Sequence, residues 1–191
     1  MPTTRTLIVV AALAALTLSS CSFRESGPFA TGSYVERQFD SGPYGGEIEG
    51  RISLDDVHLP ALARLHLPLR TALQAAAAEA EASGVDMYLT SGWRSAAYQQ
   101  RLFDDAVVRY GSADEARRWV QSPDRSKHVT GWAVDIGPTD ADDWLIQHGG
   151  EYGLCQTYAN EMWHFEMADT TGGGCPVPSS DASSDRAESS R

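Results

Sequence analysis

The sequence predicts an α+β domain, a small antiparallel sheet with helices packed on it. Two observations predict it. Apolar residues recur at helical spacing in the first part of the chain, and short runs alternate at strand spacing later. The first element is a helix over 59–83. Its Leu62, Leu65, Leu69 and Leu73 are three and four residues apart and share one face, and an Ala-rich stretch continues it to a stop at Gly84. Residues 85–90, Val-Asp-Met-Tyr-Leu-Thr, alternate as a strand does. Residues 95–109 return to helical spacing, with Tyr98, Leu102, Ala106 and Arg109 on one side. A shorter helix follows over 113–120, with Ala116, Trp119 and Val120 inward. Residues 132–136 form a short strand ended by Gly137-Pro138. A helix over 141–148 presents Trp144, Leu145 and His148, and 163–167 is the last strand.

The chain has 191 residues, enough for one ordinary domain with room for tails. A hydrophobic fraction of 42% supplies a core and excludes disorder throughout. With 15 Lys plus Arg against 26 Asp plus Glu, the net charge is -11. That balance excludes sequence-independent nucleic-acid binding, which needs cations to displace counterions, so no nucleic acid is an expected partner. It equally excludes adhesion to anionic lipid through a basic patch.

The N-terminus reads as an address. Arg5 precedes an apolar run over 7–18, too short to span a bilayer of ~30 Å at ~1.5 Å per residue and of signal-peptide length. Leu18-Ser19-Ser20-Cys21 then resembles a bacterial lipobox, in which Cys21 would be lipidated and become the first residue of an exported protein anchored in the membrane and facing the cell wall. The competing reading is an ordinary secretory signal with a cysteine nearby. Of three cysteines, Cys155 and Cys175 remain as a pair. In an oxidising compartment they can form a disulfide closing about 20 residues, worth roughly 3 kcal/mol; two free thiols are the alternative. The division expected is a signal over 1–20, a Ser-, Gly- and Pro-rich flexible tether over 21–46, a folded unit over 47–175 and a disordered tail over 176–191.

Two segments carry metal chemistry. In Ser126-Lys-His128-Val-Thr-Gly131-Trp-Ala133-Val-Asp135 a His and an Asp stand seven apart with a strand forming between them. In Glu161-Met-Trp163-His164 a second His stands on another strand. Two imidazoles and one carboxylate suit zinc, and three protein ligands leave a position open for water. Glu161, three residues before His164, is placed to take a proton from that water. His58, His66 and His148 are read as packed or surface residues, Trp119 and Trp144 as core, and Trp132 as core or site wall.

Taken together with Ser91-Gly92-Trp93-Arg94-Ser95, these segments resemble the VanY-type D-alanyl-D-alanine carboxypeptidases, zinc metallopeptidases of the bacterial cell wall. The family pattern S-x-H-x-x-G-x-A-x-D is met without departure, E-x-W-H is met, and S-G-Y-R-S is met with Trp93 in place of Tyr. The resemblance covers roughly residues 58–175. It implies a fold like that of hedgehog and D-Ala-D-Ala peptidase zinc domains. It implies zinc on His128, Asp135 and His164, Glu161 as general base and then acid, and Arg94 at the scissile carbonyl oxygen. Ser126 and Gln99 would bind the peptide's terminal carboxylate or backbone, and Trp163 would wall the site. The implied substrate is a peptidoglycan stem peptide cut at its terminal D-Ala–D-Ala bond. A dipeptidase or endopeptidase of the same family, or a cell-wall-binding module whose zinc is not catalytic, are the alternatives.

Overall fold

The structure is a computed structural model that describes residues 42–168 and 174–184. The expected signal, the lipidation cysteine Cys21 and residues 21–41 of the expected tether lie outside the described residues. No helix among the described residues is long and apolar enough to cross a membrane.

The helix expected over 59–83 is two helices, α1 (Pro60–Ala63) and α2 (Leu67–Ala82). Pro68 is the reason. It has no N–H to bond the carbonyl of Arg64, and its ring would strike that carbonyl, so the chain turns extended at His66 before restarting. From there the periodicity holds: Leu69, Leu73, Ala76 and Ala80 are buried. β1 (Tyr88–Ser91) starts later than the alternating run suggested. α3 (Ala96–Tyr110) is capped by Ser95, whose hydroxyl accepts from the Tyr98 N–H at 3.0 Å, and it ends at Gly111 with φ +81°. α4 (Ala113–Ala116) and α5 (Lys127–Thr130) are single turns. β2 (Ala133–Gly137), α6 (Thr139–His148), β3 (Leu154–Gln156) and β4 (His164–Met167) complete the order. The sequence predicts no strand at β3, since three residues are too few to show a period.

The four strands form one antiparallel sheet in the order β1-β2-β4-β3. Side chains alternate between its faces. On one face Leu89, Val134, Ile136 and Phe165 join Leu62, Leu69, Leu73 and Leu145 in the core, all at 2% exposure or less. Each such side chain contributes about 1.5–3 kcal/mol on burial. On the other face the same alternation places Asp135, His164 and Glu166 away from the core. A smaller cluster of Phe103, Ala106 and Ala116 joins α3 to α4.

Both ends of the folded unit extend beyond the expected bounds. Residues 176–184 are not a tail. Ser179 bonds main chain to main chain with Ala159 and Thr157 at 2.8 and 2.9 Å, Asp181 pairs with Arg118 at 3.2 Å, and Ala182 is 3% exposed. The segment offers few apolar side chains to bury, and its backbone does the holding. A disulfide between Cys155 and Cys175 fastens the start of this strap to β3. At the other end, Gly45 and Gly46, placed in the tether by sequence, are buried, and the Gly45 carbonyl accepts from the Ser95 N–H at 2.9 Å.

Candidate active site

The polar face of the sheet meets α5 in a buried triangle. α5 exists because Gly131 ends it in the left-handed region, φ +75°, where a Cβ would stand 2.5 Å from the Arg64 carbonyl oxygen. That single turn points His128 toward β2. Asp135 and His164 are direct cross-strand partners on β2 and β4, so their side chains leave the sheet on one face. His128 Nε2 lies 3.2 Å from His164 Nδ1 and 3.3 Å from Asp135 Oδ1, and His164 Nδ1 lies 3.1 Å from Asp135 Oδ1. A tetrahedron with zinc–ligand arms of ~2.05 Å has edges of about 3.3 Å, so the three atoms fit one face of a zinc coordination sphere.

Each corner is oriented from behind. His128 Nδ1 donates to the Gly92 carbonyl at 2.8 Å, which leaves Nε2 as the inward nitrogen. Gly92 must be glycine, because a Cβ there would collide with the Ala61 carbonyl. His164 Nε2 meets Glu166 Oε1 at 3.0 Å, and Arg94 Nη2 donates to Asp135 Oδ2 at 2.6 Å. Burial lowers the His128 pKa, and Arg94 adds to the effect. Burial would raise Asp135, but His128 and Arg94 outweigh it and hold the carboxyl well below the usual range. Burial would likewise lower His164, yet its hydrogen bonds to Asp135 and Glu166 push it up to about 9.

Glu161 is different. It is 7% exposed, and among the described residues its Oε1 is buried without a hydrogen-bond partner. Burial is the main cause that lifts its carboxyl to about 7, so it can exchange a proton near neutrality. It shares a cleft of about 330 Å³ with His128, Asp135, His164, Arg94, Ser126 and Trp163. Trp163 is 40% exposed in that wall, and Ser126 is 4% exposed with a hydroxyl that bonds no described residue.

Arg94 is fixed at three points, by Ser91 Oγ at 2.8 Å, Gln99 Oε1 at 3.1 Å and Asp135. Gln99 corrects its expected role as a ligand-gripping residue. It is 1% exposed, and the far end of its amide donates to the Gln121 carbonyl at 2.7 Å, so it buttresses Arg94 instead. The Gln121 side chain in turn bonds Tyr158 Oη at 3.1 Å and the Ala182 carbonyl at 3.2 Å. A relay thus runs from the C-terminal strap to Asp135. Sequence reading missed Gln121, Tyr158 and Glu166. Only Glu166 left a signal, since it stands two residues after His164 and therefore on the same strand face.

The remaining aromatic and histidine assignments divide. Trp144 is buried, but Trp119, expected in the core, is 40% exposed and lines the cleft, because α4 ends at Ala116 before turning it inward. Trp132 stacks on His66 at 3.9 Å, outside the cleft. His148, expected on the inner face of α6, is exposed and leans on Trp144 at 4.8 Å.

The model of the VanY D-alanyl-D-alanine carboxypeptidase family matches residues 63–169, more than half of the chain. The chain belongs to the VanY family. It is 28% identical to a D-alanyl-D-alanine carboxypeptidase of Enterococcus faecalis, over 58% of this chain, and it spans about half (52%) of that relative's length. Among solved structures it is similar to VanYB in complex with D-alanine-D-alanine, with TM-score 0.51, 26% identity, and coverage of 54% of this chain and 71% of that one. It is also similar in fold to a vancomycin-resistance D,D-pentapeptidase VanY variant in complex with Zn(II), with TM-score 0.53, 23% identity, and coverage of 63% and 79%. The fold is that of the VanY D-Ala-D-Ala peptidases, and the VanY motif residues lie inside the matched segment.

Proposed function

We propose that this VanY-family chain is a zinc-dependent D-alanyl-D-alanine carboxypeptidase that removes the terminal D-Ala of peptidoglycan stem peptides. We further propose that it is exported and held to the membrane by a lipid on Cys21, with its cleft facing the wall. The observation that carries the activity is the buried His128–Asp135–His164 triangle in one cleft with Glu161, whose buried Oε1 has no partner among the described residues. Those three residues would hold the zinc. Held there, the ion supplies a Lewis acid that acidifies water at neutral pH.

The chain's own groups divide the remaining work. Glu161 takes the proton from the attacking water and later returns it to the leaving amine, which suits a carboxyl raised to about 7. Arg94 keeps one free N–H on each terminal nitrogen after its three fixed bonds, and these stabilise charge developing on the scissile carbonyl oxygen. Ser126 and Trp163 flank the terminal residue. The ligand assignment follows a similar chain that is in complex with D-alanine-D-alanine. The cleft runs on from the triangle along α3, past Leu102 and Asp105 to Arg109, which favours a stem peptide over a free dipeptide.

Purified protein loaded with zinc should release D-alanine from a stem pentapeptide, with mass spectrometry showing loss of one residue only. Chelation should stop the reaction and added zinc restore it. Cleavage at an internal bond, or activity that survives chelation, would overturn the reading. Mass spectrometry of the native N-terminus, with Cys21→Ser as the control, tests the anchor.

A further inference from the structure

The cleft does not end at the triangle. It follows one face of α3, on which Gln99, Leu102, Asp105 and Arg109 recur every three or four residues. At 1.5 Å per residue, the ten positions from Gln99 to Arg109 give an arm about 15 Å long. That length takes about four residues of extended chain, or two residues and a long side chain. A carboxypeptidase has only one residue beyond the cut, so the arm faces the part of the substrate that precedes it.

The far end of the arm has a chemical character of its own. Tyr110 and Trp119 stack with centroids 5.9 Å apart and planes 12° apart, and both line the cleft beside Asp105 and Arg109. An acid four residues before a base on a helix is well placed to pair with it. Here neither charge forms an ion pair among the described residues, and the Arg109 guanidinium instead lies 5.6 Å from the Tyr110 ring. One turn of helix thus presents an unneutralised carboxylate and an unneutralised guanidinium, next to an aromatic wall suited to the methylenes of a long side chain.

We propose that this end is a subsite for a substrate residue, before the cut, whose side chain ends in both an ammonium and a carboxylate. Asp105 takes the ammonium, Arg109 takes the carboxylate, and the Tyr110–Trp119 wall covers the aliphatic stem. The inference rests on the carboxypeptidase reading for the direction of the peptide. It adds a selectivity that the triangle itself cannot supply, since the triangle acts on backbone atoms.

The test uses three pentapeptides ending in D-Ala-D-Ala that differ only at the third residue. One carries a side chain with a terminal ammonium and carboxylate, one carries the same side chain with its carboxylate amidated, and one carries lysine. The zinc-loaded full protein should show kcat/KM about tenfold higher on the first than on the other two, equivalent to about 1.4 kcal/mol. Arg109→Gln should erase that preference, and Asp105→Asn should lower kcat/KM on all three, since each carries the ammonium. Equal kcat/KM on the three peptides in the wild type, or a uniform loss with Arg109→Gln, overturns the subsite while leaving the activity standing. Binding of the corresponding tetrapeptide, already lacking its last D-Ala, separates the two readings. If no peptide releases D-Ala yet the tetrapeptide binds about tenfold more weakly to Arg109→Gln, the carboxypeptidase reading fails and the subsite stands.

Discussion

Arg94→Lys is the most informative single change. The guanidinium reaches Ser91 at 2.8 Å, Gln99 at 3.1 Å and Asp135 at 2.6 Å, one from each of its nitrogens. A lysine keeps the charge but has one nitrogen, which cannot satisfy three acceptors set around a fork. If it stays with Asp135, the Gln99 carbonyl oxygen is left buried and unpaired, a cost of about 1–3 kcal/mol in stability. Loss of the fixed geometry behind a metal-binding carboxylate typically weakens affinity about 10- to 100-fold, or about 1.4–2.8 kcal/mol. Zinc affinity, measured by competition with a chelator, should fall by that amount. Hydrolysis measured at saturating zinc should still be slower by about 100- to 1,000-fold, because a positioned donor to the developing oxyanion is also lost. Unchanged zinc affinity with only a higher KM would refute the reasoning and reduce Arg94 to a substrate contact.

Glu161→Gln should retain zinc by elemental analysis while kcat falls about 100- to 10,000-fold, the range for removing a general base. Cys155→Ser or Cys175→Ser opens a linkage across a sequence separation of 20 and should lower unfolding free energy in urea by about 3 kcal/mol. Asp142 is buried, its Oδ1 has no hydrogen-bond partner among the described residues, and burial, with Asp143 and Asp135 nearby, raises its carboxyl to about 7. Its stabilising contribution is therefore complete below the unfolded-state pKa near 4 and is lost as pH rises through about 7. Asp142→Asn should accordingly match the wild type in thermal melts at pH 4 and be more stable at pH 8, on the order of 1 kcal/mol after discounting for water screening.

How much could be read from sequence depended on whether side chains or backbone carried the structure. The Leu69–Leu73 stripe continuing into Ala76 and Ala80, the short strand through Val134, Asp135 and Ile136, and the helix beginning near Ser95 are side-chain patterns, and they were legible. So was the grouping of His128, Asp135, His164 and Glu161, whose residue types fit one chemistry. The break at 64–66 hid behind unbroken leucine spacing, although Pro68 was there to mark it. The strap over 176–184 and the approach of Gly45 to Ser95 are held by main-chain bonds, which no residue type announces. The family resemblance implied a ligand contact for Gln99, and only its burial shows that its amide faces inward.

The pairing of Asp135 with His164 across β2 and β4 has a consequence for how this fold can change over time. Strand side chains repeat every two residues, so a slip of one residue would turn one of them to the core face and leave the triangle with two corners. A single insertion or deletion inside either strand is therefore excluded wherever the triangle is in use. Length variation is confined to the connections, among them the residues between β3 and β4 that carry Tyr158 and Glu161. The triangle works as a ruler for the sheet: its completeness records that two strands are aligned to the residue.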